Sequence, residues 1–161
     1  MTANDTPSGR PFCSTDQTTL LREFMEEARE HLDSLEPDLL SLENTPASLK
    51  QDVINRIFRG IHSIKGSAAL VGLATLRDFS HLVENVLLRM LGGDLAPTPE
   101  RIDVLLAAVD RLRQLIQAGP DAGQVDLGRE RESLAALQAP APQPPPATAP
   151  DAPQSVSGPG A

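Results

Sequence analysis

Residues Phe58 to Leu73 read FRGIHSIKGSAALVGL, an apolar run with helical spacing into which a histidine, a lysine and a glycine are set close together. At 100° per residue, the stripe through Ile57, Ile61, Ile64 and Ala68 is centred roughly 130° from His62, so the imidazole belongs on the solvent side. On its face lie Arg59, Lys65 and Gly66, one turn away, and Ala69, two turns on. An imidazole in that setting could accept a phosphoryl group. Lys65 would offset the incoming negative charge, and the small Gly66 and Ala69 would leave the ring open to a partner's active site. Gly66 carries a helix cost of about 0.8–1 kcal/mol relative to alanine, which a helix with only structural duties has no reason to bear. A solvated His–Lys surface and close helix packing through the small residues would account for the same positions, so on their own they leave both readings open.

The elements that must hold these residues can be read from the rest of the chain. Its 161 residues are 40% apolar and 22% charged, with four Phe and neither Trp nor Tyr. That is material for one domain with an aliphatic core, and it favours helices over sheet. In the first helix Leu20, Phe24, Ala28, Leu32, Leu35, Leu39 and Leu42 recur at three- and four-residue steps from a start at Ser14 to Asp16. Pro37 falls inside and is expected to kink or divide it. Thr45 reads as the N-cap of a second helix beginning at Pro46, with Val53, Ile54, Ile57, Ile61, Ile64 and Ala68 as its stripe and Gly72 after its end. A third helix over 74–91 carries Leu76, Phe79, Val83, Val86, Leu87 and Met90 and stops at Gly92 and Gly93. Thr98 and Pro99 start a fourth, with Ile102, Leu105, Leu106, Val109, Leu112 and Ile116, closed by Gly119 and Pro120. A fifth, weaker helix covers about 126–137. The predicted fold is all-α: an antiparallel up-down four-helix bundle with a short extra C-terminal helix and disordered tails.

The wording of the second helix goes further than its wheel. IFRGIHSIKGSAALVGL closely resembles the phosphoacceptor helix of histidine-containing phosphotransfer (HPt) domains, above all the N-terminal domain of chemotaxis histidine kinases of the CheA type. Their pattern FRxxHSIKGxAxxxGL is matched by Phe58, Arg59, His62, Ser63, Ile64, Lys65, Gly66, Ala68, Gly72 and Leu73. FSHLVENVLLRM resembles the third-helix signature of the same kinases, with His81 and Glu84 in the matching places. The resemblance implies that His62 is phosphorylated at Nε2, that Glu84 accepts a hydrogen bond from Nδ1, and that Lys65 and His81 complete a polar cluster around the ring. Arg59, Gly66 and Ala69 would border the partner's approach. By the same wheel His81 lies roughly 160° and Glu84 roughly 120° from their helix's apolar stripe, which puts both off the core. His31, close to the first helix's stripe, reads as a boundary residue without a function.

With that resemblance the chain divides into an N-terminal tail (1–15), an HPt bundle (16–137) and a Pro/Ala-rich linker (138–161); residues 139–161 hold eight of the fifteen prolines and no Leu, Ile, Phe or Met. The implied function is phosphotransfer in a chemotaxis-like two-component relay, with no autonomous catalysis. A histidine kinase catalytic (ATP-binding) domain would phosphorylate His62, and the Asp of a response-regulator receiver domain would take the phosphate. No cofactor is expected in this chain: it has no Gly-rich phosphate loop, and ATP and Mg²⁺ would come with the kinase and receiver domains. A net charge of −8 speaks against nucleic-acid or anionic-lipid binding. The lone Cys13 and the lack of a signal peptide or a long apolar run point to a cytoplasmic protein, monomeric as an isolated domain. The competing readings are a metal-binding bundle using His62, His81 and Glu84, and a plain scaffold bundle.

Overall fold

A computed structural model of the chain describes residues 14–139. Most of the expected N-terminal tail and linker therefore lies outside the described residues. The helices are α1 (Ser14–Ser41), α2 (Ala47–Leu70), α3 (Ala74–Leu91), α4 (Pro99–Ala118) and α5 (Gly128–Gln138), with a 3₁₀ segment, Gly119–Gln124, between the last two. Helix α1 packs on α2 and α4, α2 on α3, and α3 on α4, which closes a four-helix ring; α5 lies across α3 and α4. Short connections between neighbouring helices give the up-and-down order the sequence predicts.

The apolar stripes of α2 and α3 meet in the core as expected, and Ile54, Ile57, Ile61, Ile64, Leu76, Phe79 and Leu87 are each at most 1% exposed. At ~25 cal/mol per Å² of apolar surface removed from water, these apolar side chains supply the main driving force for folding. Gly60 sits at the crossing of α1 and α2, where a Cβ would come within 2.9 Å of Leu35 Cδ2. The close approach of these two helices needs that glycine. Arg56 adds a bidentate grip across the same pair, its Nη2 and Nε donating to the Asp38 carboxylate at 2.7 and 3.2 Å. Helix α5 is fastened to α3 by Arg89 Nη1, which donates to the Leu137 carbonyl at 2.8 Å, and by Gln138 Nε2, which donates to the Leu82 carbonyl.

Several local expectations need correction. Pro37 does not divide the first helix, because α1 runs through it as one 28-residue element. Proline removes one backbone donor, while Leu35, Leu39 and Leu42 on either side are buried to 2% exposure or less and hold both halves on the core. Thr45 does not cap α2: its hydroxyl donates back to the Ser41 carbonyl at 2.7 Å, satisfying the end of α1 instead. Pro46 accordingly stands before the helix, with extended backbone angles, and is not its first residue. Leu20, placed on the buried stripe, is 46% exposed. Leu20 borders an open groove formed with Leu21, Leu70, Val71 and Ala122 at the end of the bundle. The fifth helix starts at Gly128, whose N–H is held by the Asp126 carboxylate at 2.9 Å.

Candidate functional site

The candidate site lies in the seam between α2 and α3, the most extensive helix pairing in the bundle. Gly72, with φ of +77°, supplies the left-handed residue that lets the chain reverse between them. The tight turn brings the middle of α3 alongside the middle of α2. Glu84 is the residue on α3 that crosses this seam, and it is buried, 4% exposed. The expectation that Glu84 lies off the core is thus wrong: a residue at the flank of its own helix's stripe is covered when the neighbouring helix packs against that flank.

Two donors from α2 meet the Glu84 carboxylate. His62 Nδ1 stands 2.6 Å from Oε1, and the Lys65 ammonium donates to Oε2. Because an ionised carboxylate only accepts, Nδ1 must carry the hydrogen. In the neutral imidazole this leaves the Nε2 lone pair free, on a side chain that is 61% exposed. Burial pushes the Glu84 carboxyl up, but the hydrogen bonds from His62 and Lys65 and the Lys65 charge outweigh it and hold the group below the usual carboxylate range. The ion pair is therefore kept, and with it the tautomer of His62. The result is an oriented nucleophilic nitrogen facing solvent, backed by a buried negative charge able to stabilise a cationic ring.

Of the residues singled out from the sequence, His62, Lys65 and Glu84 are brought together. Arg59, Gly66 and Ala69 are exposed on the same helix around them. A Cβ built on Gly66 would meet nothing within 4 Å, so close helix packing does not explain this glycine. His81 is exposed one turn before Glu84 and has no hydrogen bond or ion pair among the described residues; it stands outside the bonded set. The metal set His62, His81 and Glu84 is accordingly not assembled, and among the described residues no three His, Cys, Asp or Glu side chains gather as ligands. His31 is half-buried with Nε2 3.6 Å from Glu27, as a boundary residue should be. Sequence reasoning attached no role to one neighbour: the Phe58 ring stacks on His62, with centroids 5.8 Å apart and planes at 27°. Their i,i+4 spacing was the available signal.

A cavity of about 780 Å³ lies in the groove at the end of the bundle by Leu20, Leu70 and Val71. Among the described residues no titratable side chain lines it, and His62, Lys65 and Glu84 lie elsewhere. A phosphoacceptor needs an open ring to be inserted into another protein's active site, and the exposed His62 provides that without a pocket. No helix among the described residues is long and apolar enough to cross a membrane.

Comparison with known proteins gives the chain its family and fold. The Hpt domain family model matches residues 19–115. The chain is 36% identical over 118 residues to the sensor histidine kinase CheAY of Helicobacter pylori, covering 73% of this chain and 14% of that protein. It is 36% identical over 108 residues to the chemotaxis protein CheA of Bacillus subtilis, covering 67% of this chain and 16% of the relative. The chain thus spans only a small part of the length of these relatives. Among solved structures, the phosphorylated P1 domain of CheA3 in complex with CheY6 from R. sphaeroides superposes with a TM-score of 0.61 at 22% identity, over 74% of this chain and 93% of that one. This likeness establishes the shared helical-bundle fold.

Proposed function

Because the chain belongs to the Hpt domain family, we propose that it is the phosphotransfer module of a chemotaxis-type two-component relay. In the first step the Nε2 lone pair of His62 attacks the γ-phosphorus of ATP held by a histidine kinase catalytic domain; the P–N bond forms, the P–O bond breaks and ADP leaves. The ring keeps its Nδ1 hydrogen and becomes cationic, a charge the Glu84 carboxylate offsets. Lys65 pins the second Glu84 oxygen, which fixes the carboxylate. In the second step a carboxylate oxygen of a receiver-domain Asp, with Mg²⁺ supplied by that domain, attacks the phosphorus. The P–N bond breaks and its electron pair returns to Nε2. Nucleotide and metal belong to the partner domains, and this chain is substrate and then donor. The relay works in the cytoplasm, where ATP is available, and the isolated domain, residues 16–137, works as a monomer.

The observation that carries this reading is the bond from His62 Nδ1 to the buried Glu84, which leaves an exposed Nε2 as nucleophile. The relatives are a sensor histidine kinase, CheAY, and a chemotaxis protein, CheA, and the structural neighbour is described as a phosphorylated domain in complex with CheY6. Both support the same assignment. The test mixes the purified domain with ATP, Mg²⁺ and a CheA-type catalytic core lacking its own Hpt domain. Wild type should gain acid-labile, base-stable phosphate that a receiver domain then removes, and His62→Gln should gain none. Equal labelling of both proteins refutes the His62 assignment.

A further inference from the structure

We infer that Phe58 is a positioning residue for the phosphoacceptor: its ring lies against one face of His62 and, with Glu84, fixes the direction in which Nε2 is presented. The inference rests on the phosphotransfer reading above. A single hydrogen bond at Nδ1 sets the tautomer but leaves the imidazole free to swing about that bond, since torsions from an sp³ carbon to a planar ring have broad minima. The second restraint is the Phe58 ring one helical turn earlier, 5.8 Å away centroid to centroid and 27° from parallel, within the range of favourable aromatic pairs. Phe58 is itself anchored, being partly buried and packed against the core. Its ring therefore ties the exposed imidazole to the rigid interior. Glu84 approaches at the ring edge and Phe58 at the ring face, and together they remove the swing that either alone would allow.

In-line displacement makes this orientation matter, because small errors in the angle of the attacking lone pair are costly in rate. The ring also turns cationic as the P–N bond forms, and the face of an aromatic ring within about 6 Å attracts a cation, so the contact strengthens along the reaction. An aromatic pair of this kind corresponds to roughly a two- to tenfold effect on rate.

The test compares Phe58→Leu, which keeps an apolar side chain against the core, with Phe58→Tyr, which keeps the ring. Three quantities are measured: thermal melting, the NMR shifts of the carbon-bound His62 ring protons, and the initial rate of labelling by the kinase core. Phe58→Leu should melt near wild type, lose the ring-current displacement of the His62 protons and label roughly two- to tenfold more slowly. Phe58→Tyr should restore both shift and rate. Labelling of Phe58→Leu at the wild-type rate overturns the inference, as does a loss of rate in both variants that follows their loss of melting temperature. The NMR readout needs no kinase: His62 shifts unchanged in Phe58→Leu refute the ring contact whatever the labelling shows. Failure of wild type itself to accept phosphate on His62 strikes the phosphotransfer reading instead.

Discussion

Two glycines on α2 predict opposite outcomes for the same substitution, and the contrast tests whether Gly66 serves the approach of a partner. At Gly66 a new Cβ would find no atom within 4 Å, so Gly66→Ala gains the full difference in helix propensity, about 0.8–1 kcal/mol, without a packing penalty. For a domain of this size that corresponds to a melting temperature higher by roughly 3–6 °C. At Gly60 the Cβ would lie 2.9 Å from Leu35 Cδ2, a contact that forces a buried side chain to move. Overpacking of this kind costs about 1–3 kcal/mol and cancels or exceeds the propensity gain. Gly60→Ala should therefore melt at or below wild type, by up to roughly 8 °C. Calorimetry or CD melts of the two variants read these shifts directly. The functional arm is phosphotransfer: the Gly66 methyl stands one turn from His62 on the exposed face, so Gly66→Ala should slow transfer while it stabilises the fold. A lower melting temperature for Gly66→Ala would show that this glycine serves packing. A higher one with an unchanged transfer rate would refute its role in approach.

Acid should weaken the site in a definite window. The Glu84 carboxyl is held below its ordinary value in the folded state, so the unfolded chain binds the proton more tightly. Its contribution is then fully present above the ordinary carboxylate pKa of about 4.3 and is lost as the pH falls through the lower folded value. Urea midpoints across that range should fall more steeply for wild type than for Glu84→Gln, and parallel curves would refute the assignment. Pro37→Ala should stabilise the continuous α1 by up to about 3 kcal/mol by restoring a helix donor, seen as a higher urea midpoint with an unchanged slope. Arg113 joins α4 to α1 through Glu36 at 2.8 Å and Asp33 at 3.6 Å. Because both carboxylates are exposed and Arg113 is only half-buried, Arg113→Ala should cost no more than about 1 kcal/mol, with the cost shrinking in added salt.

What could be read from the chain in advance divides along a physical line. Periodicity located α2, α3 and α4 to within a residue or two, and the wheel put His62 in solvent, because both depend only on the 3.6-residue repeat of one helix. Errors arose wherever a second element decides the outcome. Glu84 sits on the flank of its helix's stripe, and only the packing of α2 against that flank makes it buried. Leu20 continues a stripe that opens onto the groove at the end of the bundle, so it stays exposed. Thr45 has the right type and place for an N-cap, yet its hydroxyl turns back to close α1. Gly60 and Gly66 are identical letters six residues apart, and only the presence of Leu35 near one and of open solvent near the other separates a packing glycine from a functional candidate. The same limit governs the site. The spacing of His62 and Lys65 was legible, but their shared acceptor lies 19 and more residues away, so the triad exists only because the turn at Gly72 returns α3 against α2. It follows that the nucleophile is fixed by tertiary structure: a change at the turn that shifted α3 by one residue would carry Glu84 about 100° around its helix axis and leave His62 on the surface with no acceptor for Nδ1.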